Sequence, residues 1–291
     1  MFEGVFTALV TPFRAGAVDE AALRALIERQ IEAGVDGLVP CGSTGEAATL
    51  SHEEHRRVVE QTVEAVRGRV QVLAGAGSNS TRESIELTRH AREAGADGAL
   101  LISPYYNKPT QEGIVAHFAA VAREGGLPLV VYNIPARTAS NILPATMAHL
   151  AELEGVVGVK EACGDLAQIS HVVALCPEGF SVLSGDDALI LPVIAVGGRG
   201  VISTTSNVAP RAIVELVGTA RRGELARARA LHLHLLPLFD ALFCETNPIP
   251  VKAALALLGW IDDEIRLPLT PLGAANRERV RAVLKEQGIL G

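Results

Sequence analysis

Short apolar runs alternate with longer amphipathic stretches along most of this chain. The run Val156–Val159 contains no polar residue, which is typical of a parallel strand covered on both faces. Between such runs apolar residues recur at helical spacing, and Asp19 can cap a helix that reaches about Ala33. The strands that this pattern predicts are Val5–Val10, Gly37–Pro40, Val70–Ala74, Gly98–Ser103, Leu129–Asn133, Val156–Glu161, Val182–Ser184 and Gly200–Ser203.

Eight strand–helix units in succession predict an α/β fold, the (β/α)8 TIM barrel, over residues 1–222. An open doubly wound sheet is the alternative, but no dinucleotide-binding glycine pattern follows the first strand. After Arg222 the alternation stops, so residues 223–291 are predicted to form a C-terminal helical segment. The helices expected in that segment are Glu224–Phe243, Pro248–Leu258 and Thr270–Gln287.

Two local signals mark the helix ends. Ser51 with Glu54 has the spacing of a capping box, which predicts a helix start at this point. The sequence Glu-Ala-Gly-Val-Asp-Gly-Leu at 32–38 recurs as Glu-Ala-Gly-Ala-Asp-Gly-Ala at 93–99. The first glycine of each copy suits a left-handed helix C-cap, so two strand–helix units are built alike.

Composition narrows the function classes. The 291 residues are 48% hydrophobic and 20% charged with a net charge of −7, which disfavours disorder and a nucleic-acid or anionic-membrane partner. No apolar run approaches the ~20 residues of a membrane span, and no signal peptide begins the chain, so we expect a cytoplasmic protein. The four cysteines lack C-x-x-C spacing, and nothing else in the sequence calls for a metal or a cofactor.

Lys160 ends the sixth predicted strand, against apolar walls. Burial favours the neutral amine over the ammonium, and a neutral amine attacks carbonyls to form Schiff bases. Only four of the 26 basic residues are lysines, and arginine supplies the rest of the positive charge. A lysine at this position is therefore less readily explained as a generic surface cation. The alternative is a side chain that reaches solvent or pairs with Glu161, and this stretch alone leaves both interpretations open.

Other polar residues are expected at the same mouth, because the strand ends of a barrel converge there. Tyr132 ends the strand next to that of Lys160, and neighbouring strands lie ~4.8 Å apart, so phenol and amine could exchange protons. Ser43 and Thr44, flanked by glycines, can bind a carboxylate, and Arg137 can bind a second one. Alternatively, Tyr132 only caps the barrel, Ser43 and Thr44 only shape a turn, and Arg137 makes a surface ion pair. Together, however, these residues indicate a keto-acid substrate whose carbonyl carbon is attacked by the amine of Lys160.

These residues lie in motifs that resemble the pyruvate-dependent class I aldolase superfamily, and within it the dihydrodipicolinate synthase family. The resemblance covers nearly the whole chain and implies an enzyme that condenses pyruvate with aspartate 4-semialdehyde, on the route to diaminopimelate and lysine. The motifs that carry it are Thr7-Ala-Leu-Val-Thr-Pro-Phe13, Gly42-Ser-Thr-Gly-Glu46, Tyr105-Tyr-Asn107, Tyr132-Asn-Ile-Pro135, Val159-Lys-Glu161 and Gly200-Val-Ile-Ser203.

The resemblance also implies roles for individual residues. Lys160 matches the Schiff-base lysine and Tyr132 the proton donor and acceptor, while Thr44 matches a hydroxyl that links two tyrosines. Tyr106 matches a tyrosine that reaches into the neighbouring subunit's site, which implies a homodimer at least, and a homotetramer is usual in the family. Positions that line the pyruvate pocket are matched by Gly185 and Ile202.

Arg137 separates the possible relatives. In the synthases an arginine at this place holds the semialdehyde's carboxylate, whereas N-acetylneuraminate lyases and 2-keto-3-deoxy-sugar-acid aldolases usually lack it. This sequence departs from the synthase pattern at Ser43, where threonine is common, and at Ala139, where glycine often stands. The alternatives are one of these sugar aldolases, or a non-catalytic barrel that binds a keto acid or lysine.

His52 and His55 share a helix face, but their spacing is not that of a zinc motif and no third ligand is evident. A solvated helix start is the simpler interpretation. The resemblance adds a third one, since the region matches the site where L-lysine inhibits some family members, with Glu83 on the ammonium and Asn79 and Tyr105 on the carboxylate. The full set is Ala48, His52, His55, Asn79, Glu83 and Tyr105.

Overall fold

A computed structural model describes all 291 residues. The strand bounds are β1 Gly4–Ala8, β2 Phe13–Arg14, β3 Ala17–Val18, β4 Gly37–Val39, β5 Gln71–Gly75, β6 Gly98–Ile102, β7 Leu129–Asn133, β8 Val156–Glu161, β9 Ser181–Ser184 and β10 Gly200–Ser203. Eight parallel strands close into a barrel in the order β1-β10-β9-β8-β7-β6-β5-β4, so the predicted fold class is confirmed. The two remaining strands, β2 and β3, form a separate antiparallel pair.

Helices follow the barrel strands and then continue alone to the C-terminus. No helix combines the length and the hydropathy that crossing a membrane would need. The helix bounds are α1 Glu20–Ala33, α2 His52–Val66, α3 Thr81–Ala94, α4 Gln111–Gly125, α5 Pro135–Thr138, α6 Pro144–Ala151, α7 Leu166–Leu175, α8 Ile190–Ala195, α9 Pro210–Arg221, α10 Leu225–Leu242, α11 Ile249–Leu257 and α12 Ala274–Glu286.

The predicted helix signals are present. Asp19 accepts a hydrogen bond from the N–H of Ala22, and Ser51 and Glu54 make both bonds of a capping box. The glycine after α1 and the glycine after α3 are left-handed, with φ of 84° and 91°. Glycine takes this conformation without the Cβ clash that penalises other residues, which explains its place at both helix ends.

The repeated Gly-x-Asp-Gly sequence has a structural reason. Asp36 lies just before β4, and its carboxylate accepts the N–H of Val5 at 2.7 Å on the neighbouring strand β1. Asp97 lies just before β6, and its carboxylate accepts the N–H of Val72 at 2.7 Å on the neighbouring strand β5. Each aspartate therefore satisfies a backbone donor at the amino end of the barrel, where the strands begin.

Side chains alternate between two environments along the barrel strands. On β7, Leu129 and Val131 join a cluster packed against the surrounding helices, whereas Val130 and Tyr132 belong to a separate cluster inside the barrel. The interior cluster fills the barrel with apolar side chains, so the interior is a packed core and not a channel. Its buried members are Phe2, Phe6, Ala8, Val39, Leu73, Leu100, Val130, Tyr132, Leu183 and Ile202.

The C-terminal helices share a core with the barrel. Leu238 on α10, Leu255 on α11 and Leu284 on α12 belong to the same buried cluster as Leu23 on α1 and Ile213 on α9. These helices also pack on one another, which brings α11 over one side of the barrel mouth. Residues after 222 can therefore contact the loops that follow the strands.

Several short elements lie in those loops and escape the sequence pattern. They are the β2–β3 pair, the four-residue helix α5, and 3-10 turns at Ala47–Thr49, Asp187–Leu189 and Thr205–Asn207. An element of two to four residues spans about one helical turn at most and is too short to show a strand alternation, so periodicity cannot indicate it. All of these elements except β2–β3 contain or closely follow a polar residue of the candidate site described next.

Candidate active site

Lys160 faces the inside of the barrel near the carboxyl end of β8. It is aligned with Tyr132 on β7, only 6% of its surface is exposed, and Nζ lies 4.3 Å from the centroid of the tyrosine ring. Burial lowers the pKa of the amine to about 8, the positive charge of Arg137 adds to this, and the carboxylate of Asp187 opposes it. The amine is therefore partly neutral near pH 8 and suited to attack a carbonyl.

The alternative pairing of Lys160 with Glu161 does not occur. Glu161 is fully buried on the opposite face of the strand, where Oε1 accepts from Asn133 Nδ2 at 2.9 Å and from the N–H of Cys163 at 3.1 Å. Burial raises the pKa of this carboxyl to about 7, against the lowering effect of those hydrogen bonds. Lys160 makes no salt bridge with any acidic residue of the chain.

Tyr132 supplies a protonated phenol next to the amine. Its ring is buried, and burial raises the pKa of the phenol to about 12, although the charge of Arg137 and the polar side chain of Ser43 act in the opposite direction. A phenol with a high pKa stays protonated at neutral pH, so it can protonate a hydroxyl that leaves the carbon bonded to the Lys160 nitrogen. The geometry supports the sequence-based pairing of these two residues.

The loop Gly42–Glu46 follows β4 and carries Ser43 and Thr44. Three N–H groups at 45–47 bond to carbonyl oxygens of the loop itself, whereas the N–H groups of Ser43 and Thr44 have no acceptor in the chain. The buried Thr44 hydroxyl accepts from Asn247 Nδ2 at 2.9 Å and lies 3.4 Å from the hydroxyl of Thr204. Two free N–H groups beside two hydroxyls form a concave donor set that fits a carboxylate.

Arg137 lies on α5, the short helix that follows β7. Its guanidinium is exposed, and Nη2 donates to the carbonyl oxygen of Asn247 at 2.8 Å. Asn247 thus contacts both the arginine and Thr44, so one residue connects the two groups that are predicted to bind carboxylates. The next turn contains Ala139 at φ 56°, a left-handed conformation that glycine would adopt with less strain.

Gly185 lies against the Lys160 side chain, and Ile202 lies in the barrel interior; that both line a pyruvate pocket stays a prediction. A Cβ built on Gly185 would lie 2.8 Å from Ala162 Cβ and 3.0 Å from Lys160 Cε, so a side chain here would displace the lysine. Ile202 on β10 is buried in the interior cluster together with Tyr132. The floor of the site is thus apolar and closely packed.

Sequence reasoning missed three polar residues of this site. Asp187 is buried, and its Oδ2 accepts from the hydroxyl and N–H of Thr205 at 2.7 and 2.8 Å, while burial raises the pKa of the carboxyl. Its position directly after β9 was a usable signal, because strand ends carry the chemistry of a barrel. Thr204 and Asn247 gave no such signal, and Asn247 lies 203 residues from the threonine that it contacts.

The two neighbouring tyrosines differ in exposure. Tyr106 has 88% of its surface exposed and a left-handed backbone, with φ of 70°. Such a conformation is strained for a residue with a Cβ, and the ring is open to solvent. That Tyr106 completes a neighbouring subunit's site, and that Thr44 links it to Tyr132, stay predictions.

A second polar cluster lies on the adjacent helices. Glu83 accepts a hydrogen bond from the Ser78 hydroxyl and lies 3.4 Å from His52 Nε2. His55 is instead buried, with Nε2 2.9 Å from the carbonyl oxygen of Gly75, and burial lowers the pKa of its imidazole to about 4. The side chains of Ala48 and Tyr105 are exposed, and no three His, Cys, Asp or Glu residues of the chain group as metal ligands would.

Comparison with known proteins decides the family. A family model described as the dihydrodipicolinate synthetase family matches residues 1–287. The chain belongs to this family. It is similar to the 4-hydroxy-tetrahydrodipicolinate synthases of Nitratidesulfovibrio vulgaris (strain DP4), at 59% identity over 99% of both chains, and of Syntrophus aciditrophicus (strain SB), at 56% identity over 100% of both.

Solved structures of dihydrodipicolinate synthases share the whole fold. The Aquifex aeolicus enzyme is 49% identical with a TM-score of 0.98, and the alignment covers 99% of each chain. The Acinetobacter baumannii enzyme, solved in complex with pyruvate, is 44% identical over 100% of both chains with a TM-score of 0.98. The Cyanidioschyzon merolae enzyme, solved with lysine bound, is 41% identical over 99% of both with a TM-score of 0.96.

Proposed function

We propose that the chain condenses pyruvate with L-aspartate 4-semialdehyde to 4-hydroxy-tetrahydrodipicolinate, through a Schiff base on Lys160. Membership of the family makes it a pyruvate-condensing lyase of lysine and diaminopimelate biosynthesis. The observation that carries the assignment of this residue is its buried amine, free of any acidic partner and stacked on the phenol ring. No cofactor is needed, because the lysine itself supplies the electron sink.

Pyruvate is the first substrate in this mechanism. Its carboxylate accepts from the hydroxyls and free N–H groups of Ser43 and Thr44, which holds the ketone carbon close to Nζ of Lys160. The neutral amine adds to that carbon, and Tyr132 protonates the oxygen, which leaves as water. Loss of a methyl proton then converts the imine into an enamine, the carbon nucleophile of the reaction.

The semialdehyde is the second substrate. Its carboxylate binds the guanidinium of Arg137, which sets its aldehyde against the enamine carbon. A carbon–carbon bond forms and the aldehyde oxygen takes up a proton. The substrate's own amine then attacks the imine carbon, closes the ring and displaces Lys160, so the net reaction releases one water.

Arg137 favours this partner over a sugar. A guanidinium matches a carboxylate with two parallel hydrogen bonds, whereas a sugar chain presents hydroxyls that gain no charge-assisted bond. With purified protein and pyruvate we expect turnover with aspartate semialdehyde, and little with N-acetylmannosamine or glyceraldehyde. Faster turnover with either sugar would overturn the substrate assignment.

Further assignments follow from the same resemblance. We propose that Tyr106 enters a partner's site in a homodimer, that two dimers form a tetramer, and that the enzyme acts in the cytoplasm, where pyruvate is a central metabolite.

We also propose that L-lysine binds near Glu83, since this carboxylate and the His52 ring form an exposed polar cluster. Calorimetry with L-lysine tests the last point: no heat, together with unchanged activity at millimolar lysine, would contradict it.

A further inference from the structure

A second lysine is buried at the barrel mouth. Lys252 lies on α11, is 2% exposed, and places Nζ 2.5 Å from Oε1 of Glu46, which is itself 4% exposed. The ring of Phe13 lies beneath the ammonium, with its centroid 4.2 Å from Nζ. The other carboxylate oxygen, Oε2, accepts from the backbone N–H of Arg266 at 3.1 Å.

Glu46 is the last residue of the loop that carries Ser43 and Thr44. Its φ of 54° is left-handed, as is the φ of 55° at Cys41 on the other side of the loop. Residues with a Cβ disfavour this conformation, and it persists only where the surroundings hold it. The loop therefore has a strained residue at each end, and the ion pair acts on one of them.

The rest of the loop is held by short contacts. The Thr11 hydroxyl donates to the carbonyl oxygen of Gly45 at 2.7 Å. A Cβ on Gly45 would lie 3.1 Å from both Cys41 N and the carbonyl oxygen of Leu9, so the loop rests directly on neighbouring backbone. A shift at Glu46 would therefore be transmitted to the two residues before Gly45, because the segment has little room to absorb it.

Stability alone does not explain a buried ion pair. The cost of removing two charges from water offsets most of their attraction, and apolar residues of similar volume often serve as well or better. Lys252 is also not a second nucleophile, because its amine is in contact with a carboxylate and enclosed by Phe13. Its ion pair instead holds Glu46, the last residue of the segment in which the N–H groups of Ser43 and Thr44 are free to take a carboxylate.

We propose that Lys252 is a positioning residue for pyruvate: its buried ion pair with Glu46 fixes the loop Gly42–Glu46 so that Ser43 and Thr44 present their donors to the keto acid's carboxylate. The inference rests on the proposed function and deepens it. Arg137 is held by Asn247 and not by this ion pair. Asn247 also bonds to Thr44, so only part of a loop shift reaches Arg137, and the effect is larger on pyruvate than on the semialdehyde.

Steady-state kinetics of Lys252→Met tests this. We expect the KM for pyruvate to rise about 10- to 100-fold, since misplacement by about 1 Å can cost that much, while the KM for aspartate semialdehyde changes less than about threefold. Lys285→Met is the matched control, because that lysine is exposed on α12, and it should match the wild type in both constants.

The double variant Lys252→Met/Glu46→Leu separates positioning from stability and remains informative if the single variant fails to fold. A neutral pair should restore the melting temperature yet leave the KM for pyruvate raised. A wild-type KM for pyruvate in either folded variant would overturn the inference, as would an equal rise for both substrates. If the wild type itself makes no product, the proposed function fails, and this inference with it.

Discussion

Two buried lysines at one barrel mouth differ in their partners. Lys160 and Lys252 are 6% and 2% exposed, and each amine lies over an aromatic ring, at 4.3 and 4.2 Å. Burial lowers the pKa of both. Lys252 touches a carboxylate at 2.5 Å, whereas Lys160 makes no salt bridge. Burial is therefore common to both sites, and the acidic partner is what distinguishes a structural cation from a nucleophile.

Asp187 is the acidic residue that affects the pKa of Lys160, but it forms hydrogen bonds with other residues. Asp187 raises the pKa of Lys160, but its Oδ2 accepts three hydrogen bonds from Thr204 and Thr205 and makes no ion pair with the lysine. Glu46 has no comparable commitment to hydroxyls and pairs directly with Lys252. The loop after β10 thus holds Asp187 through Oδ2, and Lys160 has no salt bridge.

The largest difference should appear when each lysine is replaced by methionine. Lys160→Met removes the nucleophile, so we expect kcat to fall by on the order of 10⁵-fold or more. Lys252→Met should still form the pyruvate adduct, because its own amine takes no part in bond formation. Turnover of Lys160→Met within about a hundredfold of wild type would show that another group carries the reaction.

The ring beneath Lys160 carries a hydroxyl, which the phenylalanine ring beneath Lys252 lacks. Tyr132→Phe keeps the ring under Lys160 and removes only its hydroxyl, so we expect kcat to fall by about 10²- to 10⁴-fold, as for loss of a general acid. The thermal midpoint should change little, because the ring continues to fill the barrel interior. Circular dichroism checks the fold, and a kcat equal to wild type would exclude the phenol as the proton donor.

The free energy of unfolding should depend on the two lysines in the reverse order from kcat, with the larger loss at Lys252. Lys252→Met leaves Glu46 buried and unpaired, so we expect the free energy of unfolding to fall by about 3–5 kcal/mol. Lys160→Met removes a buried amine that has no counterion, so unfolding should require the same or a higher free energy. Denaturant titration of both variants measures this, and equal losses would mean that the two lysines are not differently paired.

The smallest effect concerns pH. The pKa of Lys160 is lowered to about 8, so the neutral fraction of the amine grows as pH rises toward this value. Only the neutral amine attacks the ketone, so the rate should follow this fraction. The initial rate of adduct formation should increase about tenfold per pH unit below this value and level off above it. A rate that keeps rising toward pH 10 would place the amine near its ordinary pKa and contradict its desolvation.

Local patterns predicted the barrel and one of the two lysine sites. Strands such as β7 and β8 were bounded correctly, because continuous apolar runs end at polar residues, and adjacent strands brought Tyr132 to Lys160. The pairing of Glu46 with Lys252 spans 206 residues and joins a loop to a helix of the tail. No periodicity encodes such a contact, which depends on how the C-terminal helices pack against the mouth.

Borohydride reduction in the presence of pyruvate, followed by peptide mapping, tests the central claim most directly. We predict one reduced adduct, on the peptide containing Lys160, which also blocks tryptic cleavage after that residue. Lys108, Lys252 and Lys285 should remain unmodified. An adduct on Lys252, or no adduct at all, would contradict the assignment of the unpaired amine as the nucleophile.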